Sequence, residues 1–469
     1  MNKKIRKFML VLFIGFLVFW NNSVMPTRRE ITDLALVKVV GLDIINEGIY
    51  KVQHTNVRSD ISNSSTQSSN SSSKSSNSSG SSDSSGGSSG SGGSSGSNKT
   101  SNSSENESSK PSESSSESEI EKGNNDKLFS AKAATFSDAV RSFQTYTDKN
   151  LTGSHVLFFL LGENFAKTGI NLGLDFNARD YEVRSTAVIY ITKNSSAYDF
   201  LYKVTQSTYE VDEKLTSMEK NTDSKSVGYT TTLLDIQKML FGCDGDGLIP
   251  SISIINNKKI KDEQKEDPAK SSSIINKQTA LAVTDDIYFD FSGYGIIKDK
   301  KLVGYLDEEQ SLTSNIIMNK SKGFNIDIYF NDNDTDKIVN GITSSNTKIS
   351  FTFNDQNHIK DINVKTTFRC NVEEVYAEKY KFTDEFLKKL EAKQNEQIKA
   401  RIEDVFNQVK KYKSDFLKIR ELLKSQHPYI YAKIEDNLID EIENANINVE
   451  VQSVIRRTYD FNAVDQEEK

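Results

Sequence analysis

The sequence predicts an α+β, or mixed α/β, protein whose helices pack on separate mixed sheets. Three observations predict it. Amphipathic helical stretches alternate with short apolar runs between 135 and 240. From 287 to 375 the pattern switches to strands and turns, and 385–423 is one long amphipathic tract followed at once by another strand.

The first twenty residues set the compartment. Lys3, Lys4, Arg6 and Lys7 precede an unbroken apolar run from Phe8 to Trp20, the layout of an export signal. At ~1.5 Å per residue the run covers roughly 20 Å of a ~30 Å hydrocarbon core. Residues 1–26 therefore read as a signal or, with some bilayer thinning, as an uncleaved membrane anchor. The rest of the chain is expected to face an extracytoplasmic space.

Ile31 to Val57 reads as strands (LALVKVVGLDI, then IYKVQHTNV). From Ser59 to Asn125 the chain is almost entirely serine, glycine, asparagine and acidic residues, with Ile61 and Ile120 as its only aliphatic side chains. Such a stretch cannot bury enough apolar surface to offset chain entropy and is expected to be disordered. Strand pattern on both sides makes it an insertion in a loop of one domain, with an interdomain tether as the alternative.

Thr135 to Tyr146 is helical in pattern, with Ala139, Val140, Phe143 and Tyr146 on one face. Val156 to Leu161 (VLFFLL) is a continuous apolar run of buried-strand length. A short helix over Asn164–Lys167 ends near Gly169, Ala187 to Ile191 is the next strand, and Tyr198 opens another helix. Leu233 to Leu240 is amphipathic, with Gly242 at the place of a C-terminal cap.

From Ile287 the runs IYFDFSGYGII, KKLVGYL and FNIDIYF alternate with turns at Asp299-Lys300 and NDNDTD, and KISFTF and Ile359–Val375 follow as neighbouring strands. The expectation is a second sheet beginning there. From Glu385 to Leu423, Ile398, Ile402, Val405, Val409, Tyr412, Phe416, Ile419 and Leu423 recur in steps of four and three, one continuous helical stripe. The strand INVEVQSVI directly after it favours a helix laid on its own sheet over a coiled coil with another chain. The expected domains are residues 27–245 around the 59–125 insertion, a middle region 246–325, and a C-terminal domain 326–462 of long helices and sheet.

Composition narrows function. The net charge of -7, with both signs scattered, gives no basic stripe for nucleic acid. Cys243 and Cys370 read as unpaired thiols, and two cysteines with four scattered histidines cannot supply zinc-ligand spacing. Gly86-Gly87-Ser88-Ser89-Gly90 fits a nucleophile-elbow pattern without flanking strand or helix, a product of composition. Asp332, Asp334 and Asp336 alternate like a calcium loop but lack its glycine and closing glutamate, and Asp244 and Asp246 are equally weak. His155 reads as a structural histidine. Arg179, Asp180, Glu182 and Arg184 form a dense charge cluster, read first as a salt-bridge network and otherwise as an interface. No catalytic set, cofactor site or metal site is expected, which points to a binding or assembly protein.

Three separated segments carry a resemblance. They are Arg28-Arg29-Glu30-Ile31 with LALVKVVGLDI; LTGSHVLFFLLGENFAKTGINLGLDFNARDYEVR from Leu151 to Arg184, with His155, Gly169, Asp175, Arg179 and Asp180; and a C-terminal series. That series is GYGIIKDKKLVGYLDEEQ, Lys413-Ser414-Asp415, His427-Pro428 and Ile455-Arg456-Arg457-Thr458. Their shared order resembles the Ger(x)C family, the C subunits of spore nutrient-germinant receptors. The chain departs from the family pattern at Met25, where the acylated cysteine belongs, and at Pro26, Tyr431, Leu438 and Tyr459. Met25 cannot be lipidated, so the resemblance leaves attachment to the N-terminal apolar run. It implies three mixed α/β domains and a non-catalytic subunit at the outer face of the spore inner membrane. Polytopic A-type and transporter-like B-type membrane subunits are its implied partners. An extracytoplasmic solute-binding protein is the alternative.

Overall fold

The computed structural model describes residues 34–46, 49–57, 127–143, 145, 150–179, 182–206, 210–242, 245–256, 287–329, 337–376 and 382–458. The signal or anchor segment, the serine tract, Met25, Asp180, Cys243, Asp244, Asp332, Asp334 and Asp336 lie outside the described residues. All described residues belong to one unit.

The chain enters as an antiparallel pair, β1 (Leu34–Asn46) and β2 (Ile49–Val57), and returns from 58–126 as β3 (Lys127–Ala133), antiparallel to β2 with Asn56 opposite Lys127. Then come α1 (Phe136–Phe143), the short β4 (Asn150–Thr152) beside β1, β5 (Phe158–Gly162), α2 (Glu163–Thr168) and α3 (Asn171–Arg179). β6 (Val188–Thr192), α4 (Ala197–Thr205), α5 (Val211–Ser224), α6 (Leu233–Phe241) and β7 (Gly247–Asn256) follow. The hairpin β8 (Ile287–Lys298) and β9 (Lys301–Tyr305) completes a nine-stranded sheet in the order β3-β2-β1-β5-β6-β7-β8-β9, with β4 on the side of β1. β1, β5, β6 and β7 are mutually parallel, and the flanks are antiparallel.

The central strands are apolar without alternation because both faces are covered. Phe159, Leu161, Ile189 and Ile191 point into a core shared with α1, α2, α3 and α6. Their neighbours Phe158, Leu160, Val188 and Tyr190 point into the opposite core, under α4 and α5. Each such side chain contributes about 1.5–3 kcal/mol of burial.

The second sheet begins later than expected. β8 pairs with β7 and β9 with β8, so the first strands after Ile287 extend the first sheet, and the region 246–325 contributes three of its strands. Asp299 and Lys300 form the expected turn, both in the left-handed region (φ 48° and 67°), as a two-residue hairpin loop requires.

After α7 (Glu308–Ile317), β10 (Phe324–Tyr329), β11 (Lys337–Phe353) and β12 (Ile359–Val375) form antiparallel neighbours. α8 (Asp384–Tyr412), α9 (Ile419–Gln426), α10 (Pro428–Ile434) and α11 (Leu438–Asn444) precede β13 (Asn446–Thr458), which returns parallel to β12. α8 lies on its own sheet, burying Leu390, Ile398, Ile402, Val405, Phe406 and Val409.

The long helical tract is two helices. The chain breaks between Lys413 (φ 49°) and Lys418 (φ 62°), both left-handed. Phe416, Ile419 and Leu423 nonetheless stay in the same core as the α8 stripe. The sequence shows the stripe but contains no glycine or proline to mark the break.

Candidate functional site

Three buried carboxylates hold the fold together, the second and third of them beside the site. Asp43, in the apolar run of β1, accepts hydrogen bonds from the Ala197 and Tyr198 backbone N–H groups, both at 2.9 Å, and so caps α4. A Cβ on Gly162 would fall 1.8 Å from the Asp43 Oδ1, so this glycine makes room for the carboxylate.

The second and third carboxylates tie the first sheet to the helix break. Asp246 Oδ1 accepts from Asp299 N and its Oδ2 from Asp415 N, both at 2.9 Å. Burial pushes the Asp246 carboxyl above its ordinary range, against the pull of those two N–H donors. Asp415 accepts from Ile419 N and Arg420 N, both at 2.8 Å, capping α9, while Ser414 Oγ donates to Ile297 O at 2.9 Å. Lys418 Nζ donates to Asp246 O at 2.8 Å.

Beside this junction opens a groove of about 1260 Å³ lined by α6, the end of α7, α9 and parts of β11, β12 and β13. β11 runs past the end of β10, and side chains occupy its exposed edge. Asn319, left-handed at φ 56°, accepts from Thr347 N at 2.7 Å and donates to Thr347 O at 2.8 Å, as a strand neighbour would. Gln426 Nε2 donates to Ile349 O at 2.9 Å.

Tyr229 is pinned by a buried chain of hydrogen bonds. Its N–H donates to the Tyr294 hydroxyl at 2.7 Å, that hydroxyl donates to Asn315 Oδ1 at 3.0 Å, and Asn315 Nδ2 donates to Ser226 O at 2.8 Å. Burial pushes the Tyr229 phenol up to about 12. Over its ring, 3.5 Å from the centroid, stands the Lys320 ammonium, whose pKa is lowered by the protein packed around it.

The side of β11, β12 and β13 away from α8 is a polar sheet face. In cross-strand register it carries Ser350, Asn363 and Asn448 in one row and Lys348, Lys365 and Glu450 in the next. Asn448 Nδ2 donates to Asn363 Oδ1 at 3.0 Å, and Lys365 pairs with Glu450 at 2.7 Å. This groove offers charge and amide groups for recognition, with no nucleophile held against a base. Among the described residues no cluster of three His, Cys, Asp or Glu could hold a metal ion.

The sequence-derived candidates sit elsewhere. Arg179 directs its guanidinium to Asp175 one turn back, at 3.0 and 3.2 Å, with 77% of its side chain exposed. Glu182 is half-buried and Arg184 exposed; neither they nor Arg179 line the groove. His155 is exposed, and Cys370 is a buried free thiol. Sequence reasoning missed Asp43 and the groove, and weighed Asp246 only as a weak calcium-loop residue, not as the carboxylate that joins Asp299 to Asp415. Asp43 left a signal, since a lone carboxylate inside an apolar strand must find buried donors.

The comparisons with known proteins bear on this architecture. A family model described as spore germination protein N-terminal domain matches residues 27–254. A second, described as spore germination B3/GerAC like, C-terminal, matches residues 292–459. The chain belongs to the Ger(x)C family. The family consists of C subunits of spore germinant receptors. The N-terminal match ends inside β7 and the C-terminal match begins inside β8, so the two family regions meet within one sheet. Asp246 belongs to the first match and Asp415 to the second. The spore germination protein KC of Bacillus subtilis (strain 168) is 22% identical over 345 residues, covering 71% of this chain and 78% of that protein. The crystal structure of the GerBC protein covers 89% of this chain and 97% of its own, at 14% identity and a TM-score of 0.46.

Proposed function

We propose that this chain is a non-enzymatic, membrane-attached subunit of a spore germinant receptor at the outer face of the spore inner membrane. It assembles there with A-type and B-type membrane subunits so that a nutrient triggers germination. The observation that carries the reading is the match of both Ger(x)C regions, in order, over the greater part of the chain. The polar groove, built for recognition rather than for bond-making, agrees with it. A solute-binding protein would call for two similar lobes, whereas the two sheets here have nine and four strands and different topologies.

The N-terminal apolar run stays uncleaved in this reading and holds the protein to the membrane. Mass spectrometry of the mature N-terminus checks this; a start beyond Trp20 would overturn the anchor. The receptor role is tested by dipicolinate release from spores lacking the gene, with a complemented control, across amino acids, sugars and salts. Selective loss of response to particular nutrients, with normal spore formation, is expected. Unchanged release to every nutrient counts against the role. Reversing charge at Arg179 and Arg184 is expected to weaken recovery of the A-type and B-type subunits, and unchanged co-purification removes that cluster as an interface.

A further inference from the structure

We propose that the groove at the junction of the two sheets is a docking site for an extended, acidic polypeptide segment of a partner protein. The inference goes beyond assembly as such, and peptide binding in solution tests it separately from germination genetics.

Charge is the first argument. The groove is lined by five lysines against three carboxylates. Each carboxylate is already engaged: Glu450 with Lys365, Glu421 near Lys418 at 4.0 Å, and Asp235 in the α6 capping box with Thr232. Among the described residues Lys238, Lys320 and Lys348 have no carboxylate within 4.0 Å. Lys348 stands directly opposite Lys365 across the antiparallel β11–β12 pair, and of the two only Lys365 has a carboxylate, Glu450, beside it. Lys320 is held over the Tyr229 ring, 3.5 Å from its centroid, and is exposed to an incoming anion.

Hydrogen-bonding capacity is the second argument. The Thr231 hydroxyl lines the groove at 2% residue exposure, with the Tyr229 side chain beside it. Ser350, Asn363 and Asn448 add hydroxyl and amide groups in a row, the pattern that suits peptide groups of an extended chain. Size is the third. A volume of about 1260 Å³ exceeds the ~300–1,000 Å³ of small-molecule pockets, and the groove is open along the sheet. Lysine ammonium groups in this setting select carboxylate side chains, with steering that weakens as salt rises.

The test is fluorescence anisotropy of a labelled twelve-residue Glu/Ser peptide titrated with the full chain in detergent micelles, with a Lys/Ser peptide of equal length as control. Saturable binding of the acidic peptide alone is expected, weakened about tenfold or more by Lys348→Glu and by Lys320→Gln, and unaffected by Lys203→Glu on α4. Lys348 is exposed, so its variant keeps the fold, and circular dichroism checks each protein. Absence of binding overturns the proposal. So does binding that Lys203→Glu weakens as much as Lys348→Glu, or that citrate at matched charge displaces as well as unlabelled peptide does, because either marks general anion attraction.

Discussion

At the scale of single residues, the fold depends on polar groups buried with their partners in place. Asp43 meets two backbone donors with two oxygens, and Gly162 leaves the space in which it does so. Asp43→Asn keeps the shape but turns an amide N–H₂ toward one of those donors, which is expected to cost about 1–3 kcal/mol. Gly162→Ala displaces the carboxylate outright and is expected to cost at least as much; urea midpoints of both variants check this. Cys370 illustrates the opposite chemistry. Its thiol is fully buried beside Gln394, and burial pushes it up to about 11. The unfolded thiol loses its proton near 9, the folded one near 11. Stability from this group is therefore complete below about pH 9 and falls as pH rises toward 11. The wild type is expected to lose more stability than Cys370→Ala between pH 8 and 10.5, and the native thiol to resist iodoacetamide at pH 8 until urea unfolds the chain. Equal losses in the two proteins, or rapid native alkylation, would contradict this.

At the scale of elements, the break between α8 and α9 shows what local pattern reveals and what it hides. The apolar stripe from Ile398 to Leu423 is plain in the sequence because burial repeats at helical spacing, and the core it enters is continuous. The break is not plain, because two lysines adopt left-handed backbone that nothing in their chemistry announces. It is Asp415 that makes the break stable, by satisfying the first N–H groups of α9. Asp415→Ala is expected to destabilise the protein by about 1–2 kcal/mol, read as a lower urea midpoint with little change in helical content. The same distinction runs through the strands. β5 and β6 were legible as unbroken apolar runs, and β12 has the bounds its alternation predicts. The assignment of β8 and β9 to the first sheet was not, because pairing with β7 across 257–286 is a non-local choice. The groove was less visible still. Lys348, Lys365, Asn363 and Asn448 occupy ordinary outward positions of alternating strands, and only cross-strand register sets Lys348 against Lys365 and aligns Ser350, Asn363 and Asn448.

At the scale of the whole molecule, the serine-rich tract is a connection between adjacent strands. β2 ends at Val57, β3 begins at Lys127, and Asn56 lies opposite Lys127, so the first sheet fixes both ends of 58–126 beside each other. Closing a loop costs entropy that grows with the logarithm of its length, ~0.6 kcal/mol for each doubling. Replacing 58–126 by a turn of about four residues removes about four doublings, so the shortened chain is expected to gain about 2 kcal/mol of stability. A two-to-four-residue Asn-Gly turn suits the strand twist at that hairpin. A fall in the urea midpoint would mean that the tract contributes contacts of its own to the folded sheet. Function is then separable from folding. If the shortened chain, confirmed to be more stable, restores nutrient response in spores lacking the gene, the tract is an insertion that the sheet tolerates. If it is stable but does not restore the response, the tract has a role in the receptor that folding does not account for. Stability and complementation measured on the same variant distinguish these outcomes, because the sheet that joins the two family regions is left intact in both.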